Sequence, residues 1–155
     1  MGKRRKARES ALQVLYLLDV DDIPPEEALR FYWKDRKASE SVKDYTQWMV
    51  SGIMAQRNSL DDIIQSHSEH WRISRMAVVD RNILRIAVFE LIYEAGIAAA
   101  IILNEAVEIA KKFSSDQAAQ FVNGILDSIR KDMDSIKTQI KDKNNGGHEG
   151  KSEDS

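Results

Sequence analysis

KRRKARESALQVLYLLDV, residues 3–20, is the stretch around which the rest of the sequence is organised. Its first six residues hold five cations, and the run leads directly into an amphipathic helical pattern. The apolar arc of that helix holds Ala7, Ala11, Val14, Leu15 and Leu18. Cations at a helix N-terminus are unfavourable by roughly a few tenths of a kcal/mol each, unless an anion binds there. The pattern therefore predicts a helix that docks on a core and presents its cationic start to a phosphate backbone.

The charge of the chain is segregated. The net charge is −2, and residues 1–8 carry five positive charges and no acid, so the remaining residues carry −7. Nucleic-acid binding is therefore expected to be local to the beginning of the chain. The acidic remainder suits a basic protein partner.

Hydrophobic periodicity indicates an all-α fold. The 155 residues are 43% hydrophobic, which predicts one domain with a real core. Apolar residues recur at helical spacing along the chain, and strand-like alternation is absent, so we predict about seven helices. The most apolar segment, residues 81–96, is expected to be the central helix, ending at Gly96 in the left-handed conformation.

Three further expectations concern local structure. Gly52, inside a predicted helix, should permit close helix–helix approach, since it otherwise costs up to ~1 kcal/mol there. The last helix should be capped by Ser114 or Ser115 and run to about Ile136. Residues 1–140 are predicted to form the domain, and residues 141–155 a disordered tail because they contain no apolar residue to bury.

Several function classes are disfavoured by what the sequence lacks. It contains no cysteine, which excludes disulfides and thiolate chemistry, and no motif of a nucleotide-binding enzyme or hydrolase. His67 and His70 have no third metal ligand beside them, so His67 is expected to be a structural histidine at the edge of the core. No apolar run approaches the ~20 residues of a membrane span, and no signal segment follows the basic start. We predict a cytoplasmic protein that is not an enzyme and uses no metal or cofactor.

Two features point to nucleic acid. The first is the basic arm, with Lys3, Arg4, Arg5, Lys6 and Arg8 as candidate phosphate contacts. Its alternative is a solvated tail, which is disfavoured because the charges continue onto an ordered helix. The second is Phe121, at the edge of the apolar arc of the last helix, where an aromatic ring can stack on a base for ~1–3 kcal/mol. Spacing alone favours a boundary core residue over this role.

Four segments in a fixed order make the sequence similar to a known family. They are RESALQVLY (8–16), RNILRIAVFEL (81–91), NEAVEIAKKF (104–113) and FVNGILDSI (121–129). Together they resemble the NusB family of bacterial transcription antitermination factors. The resemblance implies two three-helix bundles plus an additional helix. It also implies binding to single-stranded boxA RNA of ribosomal RNA leaders together with the ribosomal protein NusE, within an RNA polymerase antitermination complex.

The resemblance also implies roles for individual residues. Residues matching the family's RNA-binding positions are Arg4, Arg5, Arg8, Gln13, Tyr16, Phe121 and, with looser register, Trp71. The match to the aromatic of the FVNG motif raises the stacking role of Phe121 above the boundary-core alternative. Asp80 and Glu105 correspond to acids on the partner-facing side.

The sequence departs from the family pattern at two positions. Ala98 replaces a proline before the NEA helix, which leaves the start of that helix less fixed. Gln117 stands where the family often has an aspartate, and Asp116 is a candidate substitute.

Two alternative functions remain at this point. One is a protein-interaction scaffold whose basic arm is only a solvated tail. The other is the N-terminal RNA-binding module of ribosomal RNA cytosine methyltransferases, which shares the implied fold and is disfavoured because no catalytic domain follows in this sequence. Apolar surface could also close a homodimer when the protein partner is absent.

Overall fold

A computed structural model describes the backbone of residues 2–154 and the side chains of residues 2–144. All regular secondary structure in this part of the chain is helical, with no strand, which confirms the predicted all-α class. Eight α-helices are present in it, one more than the number expected. They are α1 Gly2–Val20, α2 Pro25–Trp33, α3 Glu40–Ala55, α4 Arg57–Ser66, α5 Val78–Tyr93, α6 Ala99–Phe113, α7 Asp116–Lys131 and α8 Met133–Asp154, with a 3-10 turn Ile73–Arg75 between α4 and α5.

Six of the eight helices form two groups of three that share one core. Helices α1, α2 and α3 pack against one another, and α5, α6 and α7 do the same. Helix α5 joins the groups because it also packs against α1, α3 and α4. Residues 82–91 of α5 are all buried, which confirms its predicted central place. No helix in the described part of the chain is long and apolar enough to cross a membrane.

The close approach predicted at Gly52 is present. A Cβ atom at this position would lie 2.5 Å from Cε1 of Phe89, nearer than real Cβ atoms come to a ring. Glycine therefore lets α3 lie directly on the Phe89 side chain of α5. This contact also brings Trp48 of α3 against Phe89, with ring centroids 4.8 Å apart.

The prediction for Gly96 is wrong. Helix α5 ends earlier, where the Glu94 N–H donates to the Glu90 carbonyl at 2.8 Å. No glycine among the described residues has a positive φ. The chain leaves the helix at Glu94, which has φ −106° and ψ 89°, so no left-handed residue is needed.

The last predicted helix is two helices in the structure. Ser115 caps α7 as expected, since its hydroxyl accepts from the Ala118 N–H at 3.0 Å. The helix then breaks at Asp132, and α8 begins at Met133, which is buried together with Ile136. The backbone is helical through Asp154. The predicted disordered tail, 141–155, lies mostly on residues whose side chains are outside the described part, and it stays a prediction.

The replacement of the family's proline does not alter the start of α6. Ala98 is the N-cap residue, with φ −63° and ψ 141°. A proline favours the same φ. The backbone conformation is therefore retained without the ring.

Candidate nucleic-acid interface

The basic arm is part of helix α1, and its five cations have different surroundings. Lys3, Arg4 and Lys6 are exposed, Arg5 is half-buried, and Arg8 is buried with 2% of its surface exposed. The Arg4 guanidinium lies over the ring of Tyr45 on α3, 3.8 Å from its centroid. The side chains of the exposed cations therefore extend from a helix that is packed against the rest of the protein.

Arg8 belongs to a buried charge cluster formed by α1, α3, α5 and α6. Its Nε and Nη2 donate to the two carboxylate oxygens of Glu90 at 2.7 and 2.9 Å, and Nη1 donates to Glu105 at 3.2 Å. Arg5 Nε donates to the other oxygen of Glu105 at 2.8 Å. The Tyr45 hydroxyl donates to Glu90 at 2.6 Å. Each buried carboxylate thus accepts hydrogen bonds from two residues: Glu90 from Arg8 and Tyr45, and Glu105 from Arg8 and Arg5.

The ionisation of the cluster follows from these contacts. Burial alone would lower the pKa of Arg8, but the hydrogen bond and charge of Glu90 outweigh it and raise the pKa. The hydrogen bond to Glu105 raises the pKa of Arg5. Burial raises the pKa of Tyr45, and its hydrogen bond to Glu90 raises it further. Both arginines therefore stay charged and Tyr45 stays neutral at physiological pH.

This cluster corrects two of the roles expected from sequence. Arg8 was expected to contact RNA and Glu105 to face a protein partner, yet both are buried and bonded to each other. Neither side chain is accessible to a ligand. Their contacts hold α1 against α5 and α6, so they position the exposed cations instead of binding RNA themselves. Tyr45 and Glu90, which the sequence alone does not connect to the arm, complete this anchor.

The other two candidates on α1 are at the surface. Gln13 is exposed, and its Oε1 accepts from the Tyr32 hydroxyl of α2 at 3.0 Å. Tyr16 lies one turn further on, with 51% of its surface exposed. Its ring is therefore available to a stacking partner, while Gln13 keeps its amide N–H groups free to donate.

A second candidate surface is a groove of about 360 Å³ between the α4–α5 connection and the start of α7. Trp71, 57% exposed, and the half-buried Phe121 both line it. Asp80 also lines this groove, and its Oδ1 is buried with no hydrogen-bond partner among the described residues. Two aromatic rings beside an unpartnered acceptor can hold a base by stacking and by a polar contact.

The two positions near the family's aspartate are separated by the structure. Gln117 lines the Trp71–Phe121 groove, whereas Asp116 lies in a different depression on α6 and α7. Asp116 therefore does not replace the missing acid. The amide of Gln117 lines the groove in place of that acid, and Asp80 supplies a carboxylate to the same groove.

Helix α6 connects the two candidate surfaces. Lys112 pairs with Glu9 of α1 at 3.0 Å, and Ser114, directly after α6, lines the Trp71–Phe121 groove. The two surfaces share no lining residue in the part of the chain that the structure describes. A ligand that contacts both must therefore reach two separate groups of residues.

Outside these surfaces, His67 is a structural residue, as predicted. Its Nδ1 is 2.9 Å from the Ile63 carbonyl, and its Nε2 is 3.3 Å from Asp132, directly before α8. With 12% of its side chain exposed, the ring links α4 to the break between α7 and α8.

Comparisons with known proteins agree with this architecture. The sequence model of the NusB family matches residues 5–131. The transcription antitermination protein NusB of Leptospira biflexa serovar Patoc is 40% identical over 131 residues, covering 84% of this chain and 94% of the relative. That of Bacillus velezensis is 43% identical over 133 residues, covering 86% and 99%.

Solved structures give the same result. T. maritima NusB superposes with a TM-score of 0.77 at 34% identity, covering 83% of this chain and 90% of that one. The NusB-containing structure of the antitermination factors NusB and NusE with double-stranded RNA has a TM-score of 0.75 at 31% identity, covering 84% and 98%. The chain belongs to the NusB family.

Proposed function

We propose that this protein is a transcription antitermination factor that binds boxA RNA of ribosomal RNA leaders together with the ribosomal protein NusE. It would act as a non-catalytic adaptor in the cytoplasm, within an RNA polymerase antitermination complex. A role in antitermination is supported by the relatives, which are transcription antitermination proteins. RNA and NusE as partners are supported by the related structure, which contains NusB, NusE and RNA. The observation that carries the proposal is the pairing of exposed cations on α1 with the aromatic groove of Trp71 and Phe121.

The RNA contacts divide by chemistry. Lys3, Arg4 and Lys6 supply charge for phosphates, with Arg5 partly available beside them. The exposed rings of Tyr16 and Trp71 stack on bases, as does Phe121. Gln13 donates from its amide to a base edge. Arg8 keeps the arm in place from inside the protein.

The protein partner would bind the acidic body of the molecule. Apart from residues 1–8 the chain carries −7, which complements a basic ribosomal protein. Asp80 is the remaining partner-facing candidate, because Glu105 is buried. Since Asp80 also lines the aromatic groove, a partner docked there would approach the bound RNA.

Filter binding tests this function with a short single-stranded RNA that carries a boxA-like sequence. The matched controls are a scrambled RNA of the same length and the duplex form of the boxA-like RNA. The proposal predicts preference for the single-stranded boxA-like RNA and tighter binding when NusE is present. Binding of NusE without measurable binding of any of the three RNAs would instead favour a protein-interaction scaffold.

A further inference from the structure

A cationic groove, separate from the Trp71–Phe121 groove, lies beside α1 on the side that faces α2 and α3. It has a volume of about 510 Å³. Lys3 and Lys6 of α1 line it together with Arg36 and Lys37, which belong to the connection between α2 and α3. Gln13 and Trp33 also line it. Neither Arg36 nor Lys37 was singled out by sequence reasoning.

The charge of this groove is not neutralised by the protein. None of its four cations forms an ion pair with an acid among the described residues. Glu9, the acid that lines the groove, is bound by Lys112. An uncompensated positive groove on a chain whose remaining residues are acidic is a specific place for an anion.

The groove is also preorganised. Arg36 Nη1 donates to the Tyr32 carbonyl at 3.0 Å, and its guanidinium stacks on the Tyr32 ring, 4.1 Å from the centroid. The hydroxyl of the same tyrosine donates to Gln13 at 3.0 Å, which ties α2 to α1. Arg36 is therefore held in place with further N–H groups unused, and a planar guanidinium suits a phosphate. An anion bound by Arg36 therefore costs little side-chain entropy at that residue.

We propose that this groove binds the sugar–phosphate backbone of the RNA segment that flanks the boxA element. The inference rests on the proposed function. It is favoured because Lys3 and Lys6 belong both to the arm and to the groove, so a strand on the arm continues into the groove without a gap. The RNA contact surface of this protein thus extends over α1 to the α2–α3 connection.

The test compares two RNAs by fluorescence anisotropy: a short boxA-like strand and the same strand with flanking nucleotides on both sides. The variant Arg36→Gln/Lys37→Gln should bind the long RNA about tenfold more weakly than wild type at 0.1 M salt. Its log–log salt slope on that RNA should be shallower by about 1.4, which is 0.7 for each lost phosphate contact. Affinity for the short RNA should change little.

Matched controls separate groove binding from nonspecific charge and from misfolding. Lys137→Gln/Lys141→Gln removes the same charge from exposed positions on α8 and should leave both affinities unchanged. The single variant Lys37→Gln leaves the Arg36–Tyr32 stack intact and should show about half of the slope change. Unaltered melting of both groove variants would assign the loss to binding.

Three results would overturn the proposal. The first is wild-type affinity and slope of the groove variant on the long RNA, which would leave the proposed function standing. The groove variant is also titrated with polyglutamate and with inorganic phosphate. The second result is weaker binding of polyglutamate with unchanged binding of RNA, which would assign the groove to an acidic protein. The third is loss of inorganic phosphate binding alone, which would assign it to a free anion. Absence of RNA binding by the wild-type protein would refute the proposed function itself.

Discussion

Arg8→Ala is expected to destabilise the fold strongly, although Arg8 belongs to a basic run that resembles a surface arm. The substitution removes three hydrogen bonds that Arg8 donates to Glu90 and Glu105. Both carboxylates stay buried, at 1% and 0% exposed. Glu90 then keeps only the Tyr45 hydroxyl, and Glu105 only Arg5.

The magnitude follows from the cost of leaving buried charges unpaired. Removing one partner of a buried ion pair costs about 3–5 kcal/mol. The lower end applies here, because each carboxylate retains one donor. A domain of this size has a total stability of about 5–15 kcal/mol, and its melting temperature falls by about 2–4 °C for each kcal/mol lost. The variant should therefore melt roughly 6–12 °C below wild type.

Urea denaturation and thermal melting followed by circular dichroism measure this effect. Lys6→Ala is the control on the same helix, since Lys6 is exposed, and it should change stability by less than about 0.5 kcal/mol. Arg8→Lys should lie between wild type and Arg8→Ala, because an ammonium cannot bond both carboxylates in the same fork geometry. A folded Arg8→Ala protein with wild-type stability and weakened RNA binding would refute the reasoning and return Arg8 to the RNA surface.

Three further predictions concern other parts of the molecule. Phe121→Ala should weaken RNA binding by about 1–3 kcal/mol in anisotropy titrations, with a smaller change in melting, because the ring is half-buried and lines the groove. Unfolding free energy should decrease as the pH rises above about 10, since the raised pKa of Tyr45 means that only the unfolded state loses this proton there; Tyr45→Phe should remove that component. Gly52→Ala should cost about 1–3 kcal/mol in urea denaturation through its clash with Phe89, whereas Gly124→Ala, with no neighbour within 4 Å, should be neutral or stabilising.

Each of these has a contradicting result. A large loss of melting temperature with normal RNA affinity in Phe121→Ala would make Phe121 a core residue only. An identical alkaline stability profile in wild type and Tyr45→Phe would show that Tyr45 ionises equally in both states. Equal effects of the alanine substitutions at Gly52 and Gly124 would show that Phe89 moves aside at no cost.

The helices and the core were predictable because they depend on local periodicity. The apolar arcs of α1, α5 and α7 were recognised from spacing, and the Gly52 contact followed from a glycine on such an arc. The break at Asp132 was not predictable, since no proline or glycine stands there. It depends on how Met133 and Ile136 pack, which is a tertiary property.

The arm was predicted as a basic element, but the separate roles of its cations were not. On a helical wheel Arg8 lies about 20° from Leu15, so its place on the buried face was present in the sequence. A charged side chain is expected at the surface unless a partner for it is known. The partners of Arg8 cannot be recognised from sequence because they are remote: Glu90 is 82 and Glu105 is 97 residues away. The groove at Arg36 was missed for the same reason, since only the fold brings the α2–α3 connection beside α1.

The central claim is that the exposed cations of α1 bind the RNA backbone, and the salt dependence of RNA affinity tests it most directly. On a short boxA-like RNA the log–log slope for wild type should be about −2 to −3, near −0.7 for each phosphate contact. Lys3→Gln/Arg4→Gln/Lys6→Gln keeps the buried Arg8 anchor, so this variant should fold normally with a slope of about −0.7 or shallower. An unchanged slope in this folded variant would contradict the account.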